Sequence, residues 1–402
     1  YTLLGQIEWF RARRDPAYAY LERALALFDG EPDSADKAQA HAEHARLQML
    51  SYQHDGAIAA AQRTEQIAVG LGLTEVQGNA RVTAATARYL SGDPAGIDDL
   101  AAAVEFCRTG HLRALRRGLI NLATALQEEG DLRRSYALLD EMRQVGRSAG
   151  LGLATDFSDA SMRAYFAGDW AGALAAADEF FGSVGAGSEP WEAQLRALCA
   201  WLRVLRREDP GDDVESALRL AAEAGFTPIR RAALAHGALA RGLQGRIDEA
   251  AAMLGELATE WQGDSSVASR DWIGAAVSAA NMVGSTHLRP LHAWLVDLPR
   301  QTTWVQAAIA LARAGLLTHQ GDPAAAGLAY AEAAGHYNRI GDATDAALSA
   351  VAAARCFVAA GAEQDAKPWL AAAAAFAASN SAPGLVEGLP GAQSSSSPAS
   401  IA

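Results

Sequence analysis

The chain has 402 residues, half of them hydrophobic, with a formal net charge of −13 and a pI near 5.2. That length supports two or three compact domains or one elongated repeat array, and the acidic balance opposes a nucleic-acid backbone or an anionic membrane surface as direct partner. No apolar run approaches the roughly 20 residues needed to cross a bilayer. The three cysteines, Cys107, Cys199 and Cys356, are too few and scattered for a disulfide framework or a zinc site. A cytoplasmic setting is therefore expected. The start, "YTLLGQIEWF", has neither Met nor a basic leader and reads as a cut end of a larger protein.

Strand-type alternation of Val, Ile and Thr is absent, and alanine, the best helix former, is abundant. Turn signals recur along the chain at Asp15, Asp55, Asp93, Asp131, Asp169 and Asp209, in steps of 40, 38, 38, 38 and 40. They continue at Gly245-Arg246, Gly284-Ser285, Gly321-Asp322 and Gly361-Ala362. Ten turns at a spacing near 39 predict ten helix–turn–helix units. The unit around Gly130 shows the logic. Leu119, Leu122 and Leu126 form one apolar stripe. Gly130 suits a left-handed helix end, and Asp131 can cap the next helix, whose inner face runs Leu132, Ser135, Leu138, Leu139 and Met142. Pro94, Pro210 and Pro323 follow the turn in other units, where a missing N–H costs nothing.

Two zones are less regular. "FFGSVGAGSEPW" (Phe180–Trp191) reads as a Gly-rich hinge, and Pro290 and Pro299 in "GSTHLRPLHAWLVDLPRQTTW" (Gly284–Trp304) require a short or bent helix. The expected boundaries are a repeat domain over 1–378 and a disordered Ser/Pro/Gly-rich tail over 379–402.

The units resemble tetratricopeptide repeats. The small–large pattern is carried by Leu122, Ala123, Leu126, Gly130, Asp131, Ser135 and Leu139, and again by Ala238, Gly245, Ile247, Ala250, Leu254 and Leu257, and by Ala314, Gly321, Ala326, Tyr330 and Ala333. The period is longer than the family's 34, and the usual Trp/Tyr and terminal Pro positions are mostly missing. The Ala-rich style, "GD" turns and "GLG" breaks are similar to the C-terminal repeats of large actinobacterial signalling ATPases. Those repeats follow a nucleotide-cyclase or DNA-binding module and an ATPase module. The resemblance implies an all-α solenoid that senses a protein or peptide partner, or a small polar effector, and restrains upstream modules of the same chain. The LuxR-type transcriptional regulators are an alternative home for such a repeat region.

No phosphate loop, dinucleotide fingerprint or nucleophile elbow is present. No cofactor is expected, and the fragment is expected to be non-catalytic; an all-α enzyme with its active site in the groove is the alternative. His41, His44 and His54 in "HAEHARLQMLSYQHD" lack an evident further ligand and read as surface and groove histidines rather than a metal site. Arg113, Arg116 and Arg117 read as a solvated helix start, and Leu195, Leu198, Leu202 and Leu205 as core. Family geometry places the first helix of each pair on a concave groove. It selects His41, His44, Gln48 and Tyr52; Asn79, Thr86 and Tyr89; Arg117, Thr124, Gln127 and Glu128; and Ser158, Tyr165 and Phe166. Partner contacts are expected to concentrate on His41, His44, Tyr52, Tyr89, Arg117, Gln127 and Tyr165. The C-terminal inner face, apart from Asp271, Asn281 and His319, is expected to be packing surface.

Overall fold

The computed structural model describes residues 1–390 apart from 12, 110–111, 149–154, 184–190, 225–226 and 262–269. Among the described residues there are twenty α-helices and no strand. They form ten antiparallel pairs. The first five units are α1 (Thr2–Phe10) with α2 (Arg14–Leu27), α3 (Ala35–Leu50) with α4 (His54–Leu71), α5 (Thr74–Leu90) with α6 (Ala95–Arg108), α7 (Leu112–Glu128) with α8 (Leu132–Ser148), and α9 (Thr155–Phe166) with α10 (Trp170–Ser183). The next five are α11 (Trp191–Leu205) with α12 (Asp213–Ala224), α13 (Thr227–Leu243) with α14 (Ile247–Trp261), α15 (Ile273–Val283) with α16 (Ser285–Asp297), α17 (Thr303–Gln320) with α18 (Pro323–Ile340), and α19 (Ala343–Ala359) with α20 (Glu363–Ser379). Every one of the ten predicted turns falls between the helices of a pair or in the first turn of the second helix. Each helix packs on its neighbours in sequence, an order compatible with the expected solenoid.

One local device repeats. A residue two or three past the first helix sends its N–H back to a carbonyl five residues earlier: Asp93 to Arg88, Asp131 to Leu126, Asp169 to Ala164, Arg246 to Arg241 and Asp322 to Leu317. This closing bond needs a left-handed residue just before it. Glycine supplies that residue at Gly92, Gly130, Gly168, Gly245 and Gly321. In the second and sixth units the slot is held by Tyr52 (φ 57°) and Arg207 (φ 60°), a conformation that strains a side chain with Cβ. Aspartates then cap the second helix: Asp131 Oδ1 accepts from Arg134 N at 3.1 Å and Asp322 Oδ1 from Ala325 N at 3.0 Å. In the eighth unit Pro290 lies inside α16, which is 13 residues long. Pro299 lies beyond its end.

The array curls back on itself, and units five apart touch. Arg14 Nη2 of the first unit donates to Ala224 O of the sixth at 2.9 Å. The Arg231 guanidinium of the seventh lies 5.6 Å over the Tyr52 ring of the second. Gly92 of the third meets Pro299, which follows the eighth. Trp304 Nε1 of the ninth donates to Gln127 O of the fourth at 2.6 Å. Tyr165 Oη of the fifth donates to Asp345 Oδ1 of the tenth at 3.2 Å, and Trp170 Nε1 donates to Thr344 Oγ1 at 3.0 Å. The turns of one half thus rest on the helix starts of the other.

The packed chain runs past the expected boundary at 378. A 3₁₀ turn, Pro383–Val386, follows α20, and Ala382, Leu385 and Leu389 are buried. The Pro/Gly-rich composition conceals two leucines with a core to enter; residues 391–402 lie outside the described residues. So do 184–190 of the expected hinge, whose flanks belong to α10 and α11.

Candidate functional site

Much of the predicted groove is occupied by the chain itself. Tyr89 is 2 % exposed; its hydroxyl donates to Ala125 O at 3.1 Å and Glu129 at 2.9 Å. Burial, with Glu128 and Glu129 nearby, pushes its pKa upward. Gln127 is buried and accepts from Arg270, whose backbone N–H donates to Glu128 Oε2 at 3.1 Å. Tyr165 is 4 % exposed, and Phe166 packs between Tyr165 and Trp304 with ring centroids 5.4 and 5.6 Å away. Arg117 reaches from α7 to α5, donating to Asn79 O and to Thr83 Oγ1 at 2.8 Å. Burial lowers its pKa to about 10. These four residues are internal contacts rather than an open binding face. The expectation of an open face took the groove as empty; contacts between units five apart occupy it at Gln127 and Tyr165, and contacts with the adjacent unit occupy it at Tyr89 and Arg117.

Tyr52 is not on a first helix at all. It lies past the end of α3, in the left-handed turn position that glycine holds elsewhere. His41 and His44 remain partly buried on α3, with lowered pKa values caused first by burial, and His44 stands edge-on to Tyr18 at 6.3 Å. Thr86 is buried and receives Asn121 Nδ2 at 3.0 Å. Thr124 is exposed, while Gln48 and Asn79 are partly buried and Glu128 is buried. The side chain of Ser158 lies outside the described residues. Leu195, Leu198, Leu202 and Leu205 are buried, as expected of core. Among the described residues no group of three His, Cys, Asp or Glu could hold a metal ion.

A cavity also lies in the half expected to be packing surface. A cavity of about 510 Å³ is lined by the first helices α11, α13, α15, α17 and α19, with Tyr330 and Tyr337 of α18 and the terminal turn. A small void shares Trp201, Leu239, Ser278 and Asp345 with it, and a further space of about 170 Å³ lies against α7 and α8. The cavity face is visible in the helices themselves. On α15 Ser278 and Asn281, three apart, line the cavity and keep partial exposure, with Met282 exposed beside them. On α19 Asp345, Leu348 and Ala352 do the same. Most of the wall is apolar: Trp201, Leu239, Leu243, Leu311, Val351 and Leu385. At the C-terminal side Arg355 donates to Leu385 O at 3.3 Å and Glu387 O at 3.2 Å, tying the terminal turn across α19.

Three polar groups stand out in this wall. The Tyr337 hydroxyl, on a residue 1 % exposed, has no hydrogen-bond partner among the described residues, and neither has Asn281 Oδ1. Gly315 leaves room for that amide, since a Cβ there would overlap it. Asp345 is the third. Burial pushes Asp342 and Asp345 above the usual carboxylate range, Asp342 further because Asp345 lies beside it. Hydrogen bonds from Asp342 and the Tyr165 hydroxyl hold Asp345 back. Asp345 is the member of the pair that lines the cavity. Beyond it Trp201 Nε1 donates to His236 Nδ1 at 3.1 Å, while His236 Nε2 donates to Asp271 O at 2.9 Å. Both ring nitrogens are thus committed in the neutral form, and burial lowers the pKa to about 4.

Sequence reasoning named Asn281 and Asp271 on this face but missed Asp345 and Tyr337. The signal for Asp345 was available: a second Asp three residues after a turn Asp, on the inner stripe of an otherwise Ala-rich helix. No protein-family model matches the chain, and no curated protein matches it.

Proposed function

We propose that this chain is a regulatory repeat domain that takes a small effector into the cavity of its C-terminal units and passes the occupancy to other modules of the same polypeptide. The observation that carries the reading is the cavity: about 510 Å³, mostly apolar, with a few convergent polar groups, the make-up of a small-molecule site. Its walls include α19, whose first turn also contacts α9 and α10 of the fifth unit. Occupancy could therefore bias the seam between units five apart, provided the occupant binds the closed and opened arrays unequally. The signalling-ATPase and LuxR-type resemblances supply the setting, in which effector binding by the repeats relieves restraint on the upstream modules.

Native mass spectrometry of the chain, purified under gentle conditions and then offered a mixed small-metabolite library, tests this. The expected result is a retained molecule of a few hundred daltons that is lost when Leu243→Trp fills the cavity. Retention unchanged in that variant, or no retention from the library, would count against the reading. The carboxyl pair Asp342 and Asp345 is the observation that favours the enzyme alternative; release of a chemically altered library component would support it.

A further inference from the structure

Resting on the effector-site reading above, we infer that residues 381–389 form a strap that gates the cavity: it lies across the mouth and lifts to admit the occupant. The ends of the first helices set the mouth. Leu205 and Leu243, the last residues of α11 and α13, line the cavity, and so does Met282, one residue short of the end of α15. Met282 is 40 % exposed, so this end meets solvent. The strap crosses it from the tenth unit to the sixth. Gly384, Leu385 and Glu387 line the cavity. Glu387 pairs with Arg207 at 3.3 Å, and a Cβ on Gly384 would lie 2.8 Å from Leu205 O. The segment after unit ten thus meets the end of the first helix of unit six, the same five-unit spacing that joins Gln127 to Trp304.

The strap is a wall of a single layer. Ala382, Leu385 and Leu389 are buried, whereas Ser381, Pro383, Glu387, Gly388 and Pro390 are exposed. Elsewhere each first helix of the wall is backed by the second helix of its pair. The ties of the strap are few. Leu385 N donates to Ala382 O at 3.1 Å and Leu389 N to Val386 O at 3.0 Å, both within the strap. Side chains hold it to the wall: Arg355 Nη2 donates to Leu385 O and Glu387 O, and the Arg207–Glu387 pair has side chains 54 % and 68 % exposed. An ion pair so exposed adds little. The near end is fixed, since Asn380 Oδ1 accepts from Trp170 N at 2.8 Å and Ala382 N donates to Ala377 O at 2.9 Å. Ser381 at φ 51° and Gly388 at φ 79° turn the chain sharply at either end of the strap, and small residues at such points absorb the backbone rotation of a hinge. A short segment held by a few side-chain bonds opens locally, without unfolding the helices beneath it.

The test reads the strap and the entry of a probe separately, in the full chain. By hydrogen exchange with mass spectrometry, residues 382–389 should exchange at least about tenfold faster than α19 and α20. Bound Nile red, an uncharged apolar dye, should slow that exchange at least about threefold, because the closed strap contacts the occupant. In stopped-flow fluorescence two variants should each speed Nile red entry at least about threefold, with exchange in α19 unchanged. Arg355→Ala removes two ties, and Gly384→Ala places a methyl against the backbone of Leu205. A strap that exchanges no faster than α19, or whose exchange the bound dye leaves unchanged, would overturn the gate and leave the effector site standing, whatever the folding of the variants. Unchanged entry in both folded variants would do the same. Nile red that does not bind, or that binds Leu243→Trp as well as the unaltered chain, would overturn both readings.

Discussion

Units 1–4 and units 5–10 use the same helix–turn–helix pattern but hold together differently. From Leu132 to Leu389 most of the buried apolar side chains form one continuous core, with a separate small cluster around Ala217 and Ile229 in the sixth and seventh units. Before that core they fall into separate clusters around Leu47, Met49 and Leu119. The cause is side-chain size rather than topology. Eight of the nine tryptophans lie from Trp170 onward, and their rings bridge units: Trp170 meets Trp201 at 5.8 Å and Phe376 at 5.5 Å, and Trp304 meets Phe166 at 5.6 Å. The early units rely on small residues and on polar staples such as Arg117 to Asn79 and Thr83. A repeat sets which helices are neighbours; large aromatics decide how far cooperativity spreads beyond neighbours.

The largest expected effect comes from cutting the aromatic seam between the two regions. Trp304→Ala should cost about 3–5 kcal/mol in urea unfolding, since it removes a buried ring and leaves Gln127 O without its donor. Hydrogen exchange should then show units 1–4 opening before units 5–10. Equal loss of protection throughout would mean that the two regions are one cooperative unit.

A pH titration sharpens the contrast, because His236 belongs to the later region alone. Its folded pKa is lowered to about 4, so its neutral-state contribution is complete above about pH 6.5, the ordinary His value. As pH falls from there to about 4, the unfolded chain takes the proton first, and stability drops by about 1.4 kcal/mol per pH unit. His236→Gln should flatten that part of the curve by up to about 3 kcal/mol across the window, measured as the difference between urea-unfolding free energies. An unchanged slope would mean that His236 is charged in the fold.

Asp342 runs in the opposite sense. Its folded pKa is raised by burial and by Asp345, so between the ordinary carboxylate range and its folded value stability falls as pH rises. Asp342→Asn keeps an oxygen for Asp345 N and removes the buried acid. It should stabilise the chain by about 1 kcal/mol or more at pH 7, and the gain should vanish below about pH 4. A loss of stability at pH 7 would show that the carboxyl is needed as such. The smallest effect is expected in the early region: His44→Ala, on a partly buried side chain, should change stability by only about 0.5 kcal/mol. A loss above about 2 kcal/mol would show that units 1–4 are packed as tightly as the rest.

The ten turns were legible because their chemistry is local. A left-handed residue and an aspartate cap reveal themselves within a few positions, as at Gly130-Asp131 and Gly321-Asp322. Tyr52 was misplaced for the same reason: a tyrosine in the glycine slot gives no local sign of it. The contacts of Tyr165 with Asp345 and of Gln127 with Trp304 could not be read, since they depend on small rotations between units that add up over five repeats. The cavity was hidden likewise. Leu239, Leu311 and Val351 are the same residue types that fill a core, and only the spacing between helices makes them a wall.

The contact between units five apart is the central claim, and a cross-link tests it most directly. A Cβ on Gly130 would lie 3.8 Å from Cβ of Thr303, the usual separation in a disulfide. In the doubly substituted Gly130→Cys, Thr303→Cys chain, mild oxidation of the folded protein should close an intramolecular bond between the fourth and ninth units. It would be seen as faster migration on a non-reducing gel and as the linked peptide pair by mass spectrometry. Two thiols that stay free and open to alkylation under the same oxidation would contradict the curled array.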